Sequence, residues 1–175
     1  MSRFVHYAHC SKLVAKPGQY VKRGEVIARV GNSGASSGSH SHLEGLWAKP
    51  ATWWRYVRGM SFSAVQKAYF DVTKFYDDKK SIPIAHRFPS VGYKFLQFVR
   101  EAGIKVFGGY WHPGDDVNGL NDYGAELRSL FNGRVVFFED YTWVRNSKGQ
   151  LVKTDYNGGW GQHLWIEVNE ADPGV

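Results

Sequence analysis

Apolar and polar positions alternate along much of this chain, and the alternation predicts strands. RFVHYAH at residues 3–9 is one such run, rich in aromatic and β-branched residues. PGQ at 17–19 reads as a turn. YVKRGEVIARVGNSG then reads as a short strand, a turn around Gly24 and the strand EVIARV closed by GNSG, and SHSHLEGLW as the next strand. The front of the chain therefore predicts local β-hairpins. The period changes near KPATWW at 49–54. From Ser63, SAVQKAYFDVTKFYDD places Val65, Tyr69, Val72 and Tyr76 on one stripe, which predicts a helix. After KKSIPIAHRFP a second helix is predicted, with Ser90 as N-cap, Phe95, Phe98 and Val99 on one side, and a stop at Gly103. Strands then return: FNGRVVFFED as a turn feeding a strand, TWVRNSKGQLVKTDY as a hairpin with NSKG at its tip, and GQHLWIEV as the last strand. There is no internal repeat and no low-complexity tract.

Composition narrows the class. At 175 residues the chain suits one domain, or one domain with an appended segment. Its 43% hydrophobic content, 16% aromatics and 20 glycines fit a compact, turn-rich β protein and exclude disorder. A net charge of +6 favours anionic surroundings, either nucleic acid or an acidic cell envelope. No stretch resembles a recognised nucleic-acid module, so no nucleic-acid partner is expected. Cys10 is the only cysteine, which rules out an intrachain disulfide, a Cys-rich zinc knuckle and an iron-sulfur cluster. A metal site must use nitrogen and oxygen. No apolar run approaches the roughly 20 residues that span a bilayer, and MSRFVHYAH lacks the hydrophobic stretch of a secretory signal, so export would need another route.

Two stretches carry candidate chemistry. In GSHSHLE, an extended chain puts His40 and His42 on one face with Cβ atoms about 7 Å apart. Both imidazoles can then meet one metal ion, or one can bind it while the other handles protons. In GGYWHPGDDVNG, His112 and Asp116 are four apart, and Pro113 with Gly114 predicts a tight turn that brings them together. One carboxylate and two imidazoles with an open fourth position is a common composition for catalytic zinc. Each motif alone also reads as an ordinary polar loop; their conjunction is what points to a metal.

Together the motifs resemble the lysostaphin/LytM-type zinc endopeptidases, whose pattern is HxxxD early, a YxH strand in the middle and HxH near the end. The parts stand here as His112 with Asp116 in HPGDD, His9 in YAH, and His40 with His42 in HSH. AKPGQYVKRGEVIARVGNSGASSGSHSHLE is close to the family's run into its HxH, FGGYWHPGDDVNG resembles its opening, and FNGRVVFFED with NGGWGQHLWIEV resembles its next two strands. The resemblance covers residues 3–46 and about 106–168. It implies a mainly β, antiparallel, sandwich-like or barrel-like core with a groove, here carrying a helical insertion at roughly 62–102. The order departs from the family's, because the HxH half comes first and the HxxxD half last. Joining WIEVNEADPGV to SRFVHYAH restores it. The chain therefore reads as a circular permutation: residues 1–50 form the C-terminal half of the core, 51–105 a linker or helical insertion, and 106–175 the N-terminal half, within one composite domain. Met60 could be a relic start. The rival reading is a fragment of two tandem domains, with two chains completing one site.

Carried over residue by residue, the resemblance implies that His112, Asp116 and His42 bind zinc, with water in the fourth position. His9 and His40 would take the water's proton and stabilise the oxyanion or protonate the leaving amine, in an order the sequence leaves open. No HExxH is present, so no glutamate base of the thermolysin kind is available. Glu44 shares the face of His40 and His42 and reads first as a solvated glutamate, with orientation of a ligand from behind as the alternative. Asp115 stands where the family usually has an apolar residue, and spacing favours Asp116 as the ligand. Cys10 beside His9 points to the opposite strand face, so the two cannot form a nucleophile and base pair; it is expected in the core. His6 and His163 read as structural or surface residues, His86 as a loop residue without a role, and Tyr110 and Trp111 as packing. The implied activity is zinc-dependent hydrolysis of peptide cross-links in bacterial peptidoglycan through a metal-activated water. The protein would act outside the cell, in the periplasm or at the wall, as a monomer or half-exchanged dimer. The alternative is a non-catalytic wall-binding or regulatory domain of the same fold.

Overall fold

The computed structural model describes residues 2–51, 53, 59–75, 90–100, 110–118, 122–139, 143–145, 147–149, 151–153 and 159–169. In chain order the front strands are β1 (Arg3–Cys10), β2 (Lys12–Leu13), β3 (Tyr20–Val21), β4 (Val26–Arg29) and β5 (Ser41–Leu46). The helix α1 (Phe62–Ala68) follows, then β6 (Tyr69–Phe70), a 3-10 turn at Val72–Phe75, β7 (Ser90–Val91) and β8 (Phe98–Val99). The rear strands are β9 (Tyr110–Trp111), β10 (Gly114–Asn118), β11 (Glu126–Arg128), β12 (Gly133–Glu139), β13 (Trp143–Arg145), β14 (Leu151–Lys153) and β15 (Gln162–Val168). The molecule is mainly β and antiparallel, as expected.

One large sheet runs in the order β3-β12-β15-β1-β5-β10-β7, with β6 added beside β5, and a three-stranded sheet runs β11-β4-β2. Alternation gives the large sheet two different faces. Val5, Tyr7, Leu43, Leu164 and Ile166 point one way and pack with Ile27, Ala28 and Leu127 of the small sheet in the main core. Phe4, Leu46 and Trp165 point the other way and are covered by Val65 of α1 and by Tyr69. That second face also carries the polar residues of the site. The first and last described strands are neighbours, with Arg3 opposite Val168 and His6 opposite Trp165. Front and rear thus contribute interleaved strands to one sheet.

Three expectations need correction. The front strands do not pair mainly as local hairpins: β1 pairs with β15 and β5, β3 with β12, and β4 with β11 as well as β2. The first helix ends at Ala68, because the backbone of Tyr69 turns extended to pair with β5. Residues 90–100 are not helical. There β7 pairs with β10 and β8 with β9, while Leu96 adopts φ 60 and its N–H donates to the carbonyl of His112. Cross-strand partners outweigh the helical spacing of Phe95, Phe98 and Val99, and among the described residues the insertion is helical only over α1 and the short 3-10 turn at Val72–Phe75. The predicted stop at Gly103 and the residue His86 lie outside the described residues. The NSKG hairpin is present as β13 paired with β14.

Candidate metal centre

Strand β5 is the centre of the site. His42 stands opposite Ala8 of β1 on one side and opposite Asp116 of β10 on the other. Antiparallel partners on one face have close Cβ atoms, so the register alone brings an imidazole of the front half to a carboxylate of the rear half. Gly114 makes the approach possible. A Cβ there would lie 2.0 Å from the carbonyl oxygen of Leu43. His112 precedes β10 and reaches the same point. HPGDD is not the tight turn expected: His112 and Pro113 lie between two strands, and His112 is tied by backbone hydrogen bonds to Leu96 and Gln97.

Ligand atoms of His42, His112 and Asp116 all lie within 4.8 Å of one another, so the three could hold one metal ion. Nδ1 of His42 is 2.9 Å from Oδ1 of Asp116, and Nε2 of His112 is 3.3 Å from the same oxygen. The opposite nitrogens are occupied. Nδ1 of His112 donates to the carbonyl of Gly114 at 2.7 Å, and Nε2 of His42 lies 3.3 Å from Oε2 of Glu44. With those protons placed outward, lone pairs of two imidazoles face a carboxylate oxygen, an arrangement that a bound cation would satisfy in place of a ring proton. The donor set, two nitrogens and one oxygen, fits a borderline divalent metal.

Charge distribution agrees. Burial alone would lower the His42 imidazole, but its hydrogen bonds to the carboxylates of Asp116 and Glu44 raise it to about 9. Burial would raise Asp116 and Glu44; hydrogen bonds from His112 and His42 hold Asp116 below the ordinary carboxylate range, and those from His42 and His6 bring Glu44 down to about 2. Asp115, at the alternate register position opposite Leu43, is not in the cluster. Burial raises it to about 6, and Oδ1 accepts from the N–H of Phe95 at 3.1 Å.

His9 and His40 lie beside the three. Their ring centroids are 4.8 Å apart, and Nε2 of His40 is 3.7 Å from Oδ1 of Asp116. The register of β1 against β15 shifts between Tyr7 and Cys10, and His9 takes φ 60 there, so the bulge re-aims its side chain to the site face while Cys10 enters the main core. Nδ1 of His9 donates to the carbonyl of Ser33 at 2.9 Å, and burial, with His40 and His42 nearby, lowers the imidazole to about 3. Burial raises the Cys10 thiol to about 12, so it is inert, as expected of a core residue.

Other readings change. Glu44 is not solvated: it is buried and hydrogen-bonded to His42 and His6. His6 and His163 are fully buried and are 2.6 Å apart, Nε2 to Nδ1, so both are interior residues and neither is on the surface. Trp160, not singled out in the sequence, is buried with its ring 5.0 Å from His42 and 4.9 Å from His6. NGGWGQH offers no periodic signal for it. Trp111 packs between Phe62 and Phe98, consistent with packing.

Residues 2–51 match peptidase family M23. An uncharacterized metalloprotease of Haemophilus influenzae is 55% identical over 38 residues, 22% of this chain and 8% of that protein. The chain therefore matches only a small part of that relative's length. No solved structure matches. The resemblance to LytM-type metallopeptidases is borne out in the matched front segment, which carries His9, His40 and His42.

Proposed function

We propose that this protein is a zinc-dependent endopeptidase that hydrolyses peptide cross-links of bacterial peptidoglycan. The observation that carries the reading is the convergence of His42, from the M23-matched segment, with His112 and Asp116, from outside it. When bound, zinc would polarise the scissile carbonyl and acidify water. His42 would hold it through Nδ1, His112 through Nε2, and Asp116 through its carboxylate. His9 keeps Nε2 as a free acceptor because Nδ1–H donates to Ser33, and Nδ1 of His40 is within 2.9 Å of the Gly38 carbonyl, which fixes that ring as well. The two rings stand on one side of the cluster and share the proton work, one taking a proton from water and the other giving one to the leaving amine. The positive net charge suits an anionic wall, and a wall substrate implies action outside the cytoplasm. We further propose the circular permutation, with residues 51–105 linking the old ends. Its support is that β15 and β1 are sheet neighbours.

Purified protein is expected to hold about one zinc per chain, lost in His42→Ala, and to release new peptide termini from defined peptidoglycan, detected by mass spectrometry and abolished in His112→Ala. Stoichiometric zinc without cleavage of any wall peptide would favour the non-catalytic alternative. Failure to bind zinc would remove the enzyme reading and leave the non-catalytic alternative.

A further inference from the structure

The site face of the large sheet carries a second set of polar side chains that the proposed chemistry does not use. Glu139 of β12 stands opposite His163 of β15, and His6 of β1 stands opposite Glu44 of β5. These four form one hydrogen-bonded row across four adjacent strands. Oε2 of Glu139 is 3.1 Å from Nε2 of His163, Nδ1 of His163 is 2.6 Å from Nε2 of His6, and Nδ1 of His6 is 3.1 Å from Oε1 of Glu44. The other oxygen of Glu44 meets Nε2 of His42. The row therefore ends on a proposed metal ligand.

Two imidazoles and a carboxylate buried in this way are costly to desolvate, and an apolar row of the same shape would fill the space without that penalty. Each ring nitrogen nevertheless lies within hydrogen-bond distance of a partner, with two neutral imidazoles supplying protons to two of the row's three contacts, and the rings cannot swing. His6 is stacked on Trp165 with centroids 4.2 Å apart and planes 2° apart, and it meets Trp160 edge-on at 4.9 Å. A fixed His6 fixes Oε1 of Glu44, which leaves Oε2 aimed at His42. For a neutral His42, as metal binding requires, the acceptor Oε2 selects the tautomer with the proton on Nε2 and leaves the Nδ1 lone pair on the side of His112 and Asp116.

We propose that His6 and His163, anchored by Glu139 and acting through Glu44, are positioning residues that set the tautomer and orientation of His42 for metal binding. The inference rests on the metallopeptidase reading above, since it concerns how a ligand of that site is held. Neither histidine touches the three clustered residues by hydrogen bond, so neither is a catalytic residue. Replacing carboxylates or rings behind a metal ligand typically weakens metal binding about 10–100-fold.

The test compares zinc affinity, by chelator competition, with the ring tautomer of His42, by 15N NMR of the zinc-loaded protein, in wild type, His6→Leu and His163→Phe. Both variants are expected to bind zinc at least about 10-fold more weakly and to lose the single Nε2–H form of His42. His163→Gln, which retains a donor and an acceptor, is expected to recover most of the affinity. Folded variants with unchanged zinc affinity and unchanged His42 tautomer would overturn the proposal. If the apolar variants fail to fold, Glu44→Gln decides. Its amide can accept from only one of the two histidines, so unchanged affinity and tautomer there would equally overturn it. Wild-type protein that binds no zinc would instead remove the underlying reading, whereas one zinc per chain held equally by all variants would remove only the positioning role.

Discussion

Gly114 does two jobs at one position. Its missing Cβ lets β10 lie against β5, where a methyl group would sit 2.0 Å from the carbonyl oxygen of Leu43 and 2.8 Å from Cβ of Glu44, and its own carbonyl accepts the Nδ1 proton of His112. Backbone cannot yield as a flexible side chain can. Gly114→Ala is therefore expected to cost about 3 kcal/mol, at the upper end of ordinary substitutions, and to weaken metal binding although no ligand is altered. Urea unfolding and chelator competition check the two effects, and an unchanged urea midpoint would contradict the packing argument. At this scale the sequence was informative where chemistry is local. HxH, HxxxD and YxH name His40, His42, His112, Asp116 and His9 because metal and proton chemistry restrict residue type. The buried, hydrogen-bonded places of Glu44, His6 and His163, and Trp160 altogether, were not legible, because burial depends on which strands are neighbours and spacing along the chain carries no such information. Between Asp115 and Asp116 the motif spacing favours the second, and the register against β5 agrees by putting Asp116 opposite His42.

Strands were legible wherever alternation and turn residues agreed. β4, β5, β12 and β15 lie within the stretches read as strands, β1 extends one residue past its stretch, and Gly18 and Gly24 take the positive φ expected of turn glycines. The element that failed, residues 90–100, has helical spacing but lies beside β9 and β10, and tertiary pairing won. Pairing also determines how the sheet responds to acid. Burial lowers His6, lowers His9 to about 3 and lowers His163 to about 2. Unfolded histidines titrate near 6.5, so below that pH the unfolded chain takes up protons that the native sheet refuses. Stability thus falls as pH drops from about 6.5 toward 3, by at most about 1.4 kcal/mol per pH unit for each histidine. Glu44 adds a loss between its ordinary value and about 2, as protonation ends its bonds to His42 and His6. The raised His42 acts in the opposite sense, its contribution being complete below 6.5 and lost as pH rises through about 9. Urea midpoints measured with chelator at pH 7.5, 6 and 5 should decline steadily; a flat profile over that range would mean that these imidazoles are charged inside the fold.

For the molecule as a whole, the order of the motifs and the order of the strands make different statements. Along the chain, the HxH half precedes the HxxxD half. Across the sheet, β15 and β1 lie side by side between β12 and β5, with Arg3 opposite Val168, so a strand of the rear half pairs directly with one of the front half. Residues 169–175 and 1–2 are ample to connect strands whose ends already face each other, and closing so short a loop costs little conformational entropy. If residues 51–105 only link the old ends, cutting within them should be tolerated. The expected outcome is that a rearranged chain beginning at Met60, running through Val175 directly into Met1 and ending at Gly59, folds and binds one zinc with nearly the affinity of the original. Its thermal midpoint should lie within several degrees, since a difference of about 1 kcal/mol shifts a chain of this size by roughly 2–4 °C. Thermal unfolding and zinc competition on the two chains make the comparison. A rearranged chain that fails to fold would mean that the covalent connection through Gly59 and Met60, which leads into α1 over the site face, is an integral part of the fold rather than a tie between displaced ends.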